Sequence, residues 1–223
     1  MYKTLRGESL RQVLPRLIVC LVLAAALLAV SAGGLLKLAA GPKSLSGLNR
    51  SELQGKFVRF DASEVIVAFA TLSASDADGK SHVMETYYLL PFGENQYIAV
   101  MDQKEKNSSV LNRAMEQSHE YYMGDLETLH ALGDLSGTVV ALEDDMTEFM
   151  ADCIDTYALP GYEEGRDSAR LILAYQINLD KVGFLGKDTA LVLGGLALLQ
   201  LTFCIKYGII MAMLRLHSES TII

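Results

Sequence analysis

Two long apolar runs, one near each end of the chain, dominate the pattern of hydrophobic and polar positions. The first, residues 17–36, reads LIVCLVLAAALLAVSAGGLL and holds no charge over twenty residues. The second, residues 189–205, is uncharged over seventeen. An α-helix of about twenty residues is roughly 30 Å long, which matches the hydrocarbon core of a bilayer. The pattern therefore predicts two transmembrane helices, at 17–36 and 189–208.

Charged residues bound both runs and mark the predicted membrane boundaries. Lys206 directly follows the second run, which reaches the length of the first only if it extends a few residues further. The long side chain of Lys206 can place its ammonium group among the lipid headgroups. A lysine inside a transport path would need an acidic partner, and neither run contains one. The predicted boundary residues are Arg16, Lys37, Asp188, Lys206 and Arg215.

The basic residues beside the first run predict that both termini are cytoplasmic. Four lysine or arginine residues precede this run and three follow it closely, and the more basic flank stays in the cytoplasm. Residues 1–16 and 209–223 are then cytoplasmic, and residues 37–188 form an extracytoplasmic domain at the plasma membrane. The reverse orientation is the alternative. AVSAGG also fits the end of a cleavable signal peptide, but the run continues to Leu36, which favours an uncleaved anchor.

The segment between the runs alternates strand-like and helix-like stretches. β-branched and aromatic residues cluster between turn signals, which predicts strands near 55–60, 64–73, 83–90 and 96–102, then near 135–142 and 170–180. A helix is predicted over 108–124 with Ser108 or Ser109 as N-cap. A short helix over 125–134 and a helix over 144–159, begun by an Asp145–Glu148 capping pair, complete the prediction.

These elements predict an α+β fold, a small curved β-sheet or OB-like barrel with two or three helices, flanked by the two transmembrane helices. An internal echo favours the barrel. LQGKFVRF from Leu53 and LSGTVVAL from Leu135 share the pattern Leu-x-Gly-x-x-Val. In small barrels, a glycine before a strand often allows the chain to turn a tight corner.

Charge excludes one class of partner. The whole chain has a formal charge of −8, but residues 38–187 carry 12 lysine and arginine against 24 aspartate and glutamate residues, a net charge of −12. Nucleic-acid binding requires a basic surface, so no nucleic-acid partner is predicted.

Cys20 and Cys204 lie in the apolar runs and Cys153 is alone between them, which excludes a disulfide framework in the middle domain.

One loop between the runs carries a pattern of possible metal ligands. ASDADGKSHVME matches part of a calcium-binding template, with Asp76, Asp78 and Glu85 as candidate metal ligands. An Asp-x-Asp-Gly hairpin turn explains the same residues without a metal, and is favoured. Nucleophile-elbow, phosphate-loop and dinucleotide fingerprints are missing from the sequence. No catalytic residue and no cofactor are therefore predicted.

The chain resembles uncharacterised two-pass membrane proteins of Gram-positive, mostly gut-dwelling bacteria. The resemblance lies in the two terminal apolar runs and in three stretches between them, LNRSELQGKFVRFDASEVIVAFAT, YYLLPFGENQYIAV and LSGTVVAL. This resemblance implies a bacterial envelope protein and no particular activity. The expected function is a membrane-anchored binding or scaffold protein without catalysis. An envelope hydrolase or metal-dependent enzyme, or an accessory subunit of a transport complex, is the alternative. Expected contacts with a protein partner or a second copy involve the middle domain or small residues of the two runs, Ala25, Ala29, Ala190 and Gly194.

Overall fold

The computed structural model describes residues 10–183 and 185–220, with side chains over 12–183 and 185–213. Contacts divide the chain into an α+β unit, residues 40–183, and a helical unit formed by the two ends of the chain. The α-helices are α1 Leu10–Ala40, α2 Ser108–Met123, α3 Asp144–Tyr157 and α4 Lys187–Ser220. The strands are β1 Lys43–Ser44, β2 Phe57–Asp61, β3 Val67–Ser75, β4 Ser81–Pro91, β5 Tyr97–Gln103, β6 Asp134–Ala141, β7 Ile172–Asn178, β8 Lys181–Val182 and β9 Leu185–Gly186. Single turns of 3₁₀-helix lie at Leu45–Gly47, Arg50–Glu52 and Ser168–Leu171.

Strands β1 to β7 form one mixed sheet in the order β1-β2-β6-β7-β5-β4-β3. Strands β5 and β7 are parallel neighbours near its centre, and β1 is parallel to β2. The other neighbours are antiparallel. The long β3–β4 hairpin extends to one edge of the sheet, and its outer half is exposed.

The two helices of the α+β unit pack on opposite faces of this sheet. On one face, Leu111 and Ala114 of α2 join a core that contains Tyr88, Ile98 and Val100. On the other face, α3 packs against a second core. The members of that core include Leu89, Tyr97, Ala99, Met150 and Ile154. Successive residues of β4 and β5 therefore enter different cores, which is why YYLL and YIAVM are apolar without alternation.

The predicted α+β class is confirmed, whereas the predicted small barrel is wrong. The sheet is open between β1 and β3, and helices cover both faces of its centre. Residues 125–134 form no helix. The predicted caps also differ, because α2 is preceded by Asn107 and α3 by Glu143, neither of which makes a side-chain capping bond. Asn107 instead donates to a buried carboxylate, that of Asp102.

The internal echo corresponds to two neighbouring strands, β2 and β6, paired antiparallel with Val58 opposite Gly137. Its two glycines have different roles. Gly55 has a φ of 71° in the turn before β2, which is a conformation that suits glycine. Gly137 lies inside β6, where a Cβ atom would be 2.5 Å from the carbonyl oxygen of Asn178. The echo therefore marks a close strand contact and not a pair of barrel corners.

The helical unit consists mainly of α1 and α4, both long and apolar enough to cross a membrane. The candidate spans, Gln12–Ala40 and Lys187–Met213, contain both predicted runs. Small residues lie where the two helices meet, and a Cβ at Gly194 would be 3.0 Å from Leu35 Cδ1. Among the residues predicted for helix contacts, Ala190 and Gly194 are buried, while Ala25 and Ala29 are exposed.

A Gly137→Ala substitution should destabilise the α+β unit by about 2–3 kcal/mol, because the added methyl group would overlap the backbone of Asn178 and force the strands apart. Thermal unfolding of the detergent-solubilised chain, followed by circular dichroism, measures this effect. Gly47→Ala is the matched control, since open space surrounds that position. Equal melting temperatures for the two variants would contradict the proposed close contact.

Candidate ligand-binding clefts

Two clefts adjoin the β4–β5 turn and share Pro91 and Gly93 in their walls. The first, of about 450 Å³, includes Tyr97 and is called the tyrosine cleft. Its other principal lining residues are Glu64, Ile66, Pro91, Glu94, Tyr122 and Pro160. The second, of about 480 Å³, is called the aspartate cleft and is lined in part by Ser46, Arg59, Asp61, Ser63 and Asp134.

The register between α2 and the β2–β3 loop places Glu64 in the tyrosine cleft. Ser118 of α2 is buried, and its hydroxyl accepts a hydrogen bond of 3.0 Å from the backbone N–H of Val65. Tyr122 lies four residues further along α2 and therefore on the same side of the helix. Its hydroxyl donates to Glu64 Oε1. One helix face thus holds both the loop backbone and the neighbouring carboxylate.

The opposite wall is the loop that follows α3. Tyr97 donates from its hydroxyl to the carbonyl oxygen of Pro160 at 2.9 Å, and Arg170 donates to that of Gly161 at 3.0 Å. Gly161 has a φ of 86°, and a Cβ there would be 2.8 Å from the Cβ of Asn95 in the β4–β5 turn. Glycine at this position therefore allows the loop to contact the turn. Hydrogen bonds and close packing within the protein therefore hold this wall of the cleft.

The tyrosines of the cleft are suited to binding rather than to nucleophilic attack. Burial raises the pKa of Tyr97 to about 12. Burial, and then the hydrogen bond to Glu64, also raise the pKa of Tyr122. Both phenols consequently stay protonated at neutral pH and act as hydrogen-bond donors. The cleft offers carboxylates, aromatic surface and apolar walls.

The aspartate cleft contains a cross-strand pair of carboxylates. Asp61 of β2 is directly opposite Asp134 of β6, and a hydrogen bond between their side chains is the main reason that the pKa of Asp61 is raised. Arg59 Nη1 lies 3.7 Å from Asp134 Oδ2. Arg59, Asp61 and Asp134 are all exposed, so water screens their charges. The pair can share a proton, but it lacks the burial that tunes a catalytic acid.

A third polar cluster lies at the carboxyl ends of the central strands β5 and β7. Asp102 is fully buried and accepts from the backbone and side-chain nitrogens of Asn107 at 2.8 Å each. Burial raises its pKa, and the bonds from Asn107 act in the opposite direction. Asp180 accepts from Lys106 Nζ at 2.7 Å and from the backbone N–H of Gln103 at 3.0 Å. These bonds fix the turn between β5 and α2, which is a structural role.

The structure does not bring the predicted metal ligands together. Asp76 and Asp78 lie in the β3–β4 turn, where Asp76 Oδ1 accepts from the backbone N–H groups of Asp78 and Lys80. The bond from Lys80 is the main cause of a lowered pKa of Asp76. Glu85 is four residues beyond Ser81 on β4, about 13 Å along the strand, and it accepts a hydrogen bond of 2.8 Å from Tyr87. In the described part of the chain, no three histidine, cysteine, aspartate or glutamate side chains converge as metal ligands.

Sequence reasoning missed both clefts, because their residues are distant in the chain. Glu64 and Tyr122 are 58 positions apart. The repeated Leu-x-Gly-x-x-Val pattern could have predicted one feature of the aspartate cleft. Asp61 follows its first copy and Asp134 precedes its second, so antiparallel pairing of the copies places the two aspartates opposite each other.

The fold and the terminal helices define a class of protein. In this class, an α+β domain with an open sheet lies between two apolar helices in the order of the chain. A family model described as "Domain of unknown function (DUF8577)" matches residues 2–213, and the chain belongs to this family. The match includes both apolar helices as well as the α+β unit. Comparisons with curated proteins and with solved structures find no match.

Replacement of Tyr97 by phenylalanine should change how stability depends on alkaline pH. The pKa of Tyr97 rises from its ordinary value of 10 to about 12 on folding, so its stabilising contribution is complete below pH 10 and is lost as the pH rises through 12. The phenylalanine ring cannot ionise, so this contribution is absent from the variant. The variant also loses the hydrogen bond to Pro160, which lowers its free energy of unfolding by about 1 kcal/mol at neutral pH.

Denaturant unfolding of the parent chain and of Tyr97→Phe between pH 8 and pH 12 tests this linkage. The difference in free energy of unfolding between the parent chain and the less stable variant should shrink as the pH rises above 10. Tyr157→Phe, at an exposed position, is the control for the loss of one phenol. A deficit that stays constant over this pH range would contradict the assigned pKa.

Proposed function

We propose that this chain is a two-pass protein of the bacterial cell envelope that holds a non-catalytic binding domain outside the plasma membrane. Residues 1–16 and 209–223 are cytoplasmic, residues 37–188 are extracytoplasmic, and the two apolar helices anchor the domain. The resemblance to two-pass proteins of Gram-positive bacteria supports this location. In this proposal, the tyrosine cleft is the ligand-binding site of the domain.

The observation that carries the membrane assignment is the exposed apolar surface of α1 and α4. Large side chains on these helices, including Val22, Leu36, Val192 and Leu198, are 60–70% exposed. An apolar surface of this extent requires a cover, and lipid provides one.

The positions of charged residues support the same assignment. Arg16 and Lys37 are 21 residues apart on α1, or about 32 Å of helix. Lys187 and Lys206 are 19 residues apart on α4, or about 28 Å. Both intervals match the thickness of a bilayer core, so each helix places its charges at the two interfaces. Lys206 is exposed on α4, which agrees with a position among lipid headgroups.

The tyrosine cleft supports binding as the activity of the domain. Hydrogen bonds from Tyr97 and Tyr122 fix its walls, and the cleft lies on loops carried by a sheet whose two faces are covered. A preformed, partly apolar cleft with a few polar groups is the usual form of a small-ligand site. Two carboxylates and protonated phenols provide recognition without an activated nucleophile.

Labelling of introduced cysteines tests the orientation. Asp78→Cys places a thiol in the exposed β3–β4 turn, and Cys153→Ser removes the native thiol of the domain. A membrane-impermeant maleimide should label this double variant in intact cells. Thr4→Cys in the same background is the matched control and should be labelled only after permeabilisation. The opposite pattern for the two variants would refute the proposed orientation.

A further inference from the structure

We infer that the tyrosine cleft binds an organic ammonium group, carried either by a small alkylamine or by the side chain of a lysine. The inference rests on the proposed function only in taking this cleft as the ligand-binding site. It adds the chemical class of the ligand.

The charge of the cleft selects a cation. Its two ionisable carboxyl side chains are Glu64 and Glu94, and none of the described lining residues is basic. Glu64 is half-buried, so its charge is less screened than that of a fully exposed carboxylate. Tyr122 uses one acceptor direction of Oε1, and a carboxylate has about four, which leaves capacity for N–H donors. The net charge of −12 on residues 38–187 also attracts cations toward the domain.

The aromatic and apolar walls select an organic cation rather than a metal ion. The ring of Tyr122 is held edge-to-face against Tyr121, with centroids 5.6 Å apart and planes at 68°. Tyr122 is 52% exposed, so a ligand can reach its ring. A tyrosine face attracts ammonium groups within about 6 Å, and Ile66, Pro91 and Pro160 form an apolar wall for an attached alkyl chain. Among the residues that the structure describes, no three histidine, cysteine, aspartate or glutamate side chains converge as metal ligands.

The dimensions and rigidity of the cleft fit such a ligand. A volume of about 450 Å³ accommodates a diamine of four carbons or one lysine side chain. Gly161 and Asn95 hold the two walls in contact, and Ser118 fixes the loop that carries Glu64. Contacts within the protein therefore hold both walls of the cleft, which lowers the cost of ordering them around a ligand.

Calorimetric titration of the full chain in dodecyl maltoside tests the inference with putrescine as the charged probe and 1,4-butanediol as its uncharged analogue. Putrescine should bind and butanediol should not. N-acetyl-lysine amide is the second charged probe. Tighter binding of this compound than of putrescine identifies a lysine side chain as the ligand, and the reverse order identifies a free amine.

Two pairs of variants locate the site. Glu64→Gln keeps an acceptor for Tyr122 and removes the charge, and it should weaken putrescine binding by roughly tenfold or more. Glu127→Gln makes the same change of net charge at an exposed position outside the cleft, and it should bind like the parent. Tyr122→Phe keeps the ring and should retain most of the affinity, whereas Tyr122→Ala should lose it.

Three results would overturn the inference: equal binding of putrescine and butanediol, unchanged binding by Glu64→Gln, or equal losses in Glu64→Gln and Glu127→Gln. Unfolding curves that match the parent show that each variant is folded. In detergent micelles the whole α+β unit is in contact with the same buffer. The titration is therefore independent of the orientation of the chain in a membrane. A failed titration therefore refutes the ammonium ligand, whereas reversed maleimide labelling refutes the proposed topology alone.

Discussion

The α+β unit depends on the burial of its central strands on both faces. Strands β4 and β5 present large apolar side chains at consecutive positions, including Tyr87, Tyr88, Leu89 and Leu90, so neither face can be left in water. Helix α2 covers one face and α3 covers the other. The connections that carry these helices determine the remaining architecture. They place β7 between β6 and β5, and they let the last turn of α2 and the loop after α3 line the same cleft.

The chain enters and leaves the α+β unit at neighbouring positions of the sheet. Lys43, shortly after α1, is opposite Val58 near the start of β2, while β7 ends at Asn178, opposite Thr138, which is itself paired with Phe57. The two connections therefore leave the α+β unit at one level of the sheet. Asp61 and Asp134 lie at the other end of the β2–β6 pair.

Local patterns predicted most of the elements. Strands β2 to β5 lie within three residues of the predicted positions, because β-branched and aromatic clusters between turn residues depend on neighbours in the chain. The predicted cap of α2 was wrong because Asn107 precedes this helix and its side chain donates to the buried carboxylate of Asp102, five residues earlier, instead of capping. Glu143, which precedes α3, makes no side-chain capping bond either. The barrel was wrong because the shared Leu-x-Gly-x-x-Val pattern marks two paired strands of an open sheet, β2 and β6, and not two barrel corners. The consecutive apolar residues in YYLL are covered on both faces of this sheet.

The sequence by itself determined the apolar helices, the α+β class, the acidic charge of the middle domain and the hairpin turn at Asp76. Each of these properties depends on composition or on residues close in the chain. Only the tertiary structure decided which side chains meet. Glu64 reaches Tyr122 because Ser118 holds the β2–β3 loop against α2, and Asp61 meets Asp134 because β2 and β6 are paired. Contacts between residues so far apart in the chain depend on strand order and helix placement, which the burial of the whole core sets.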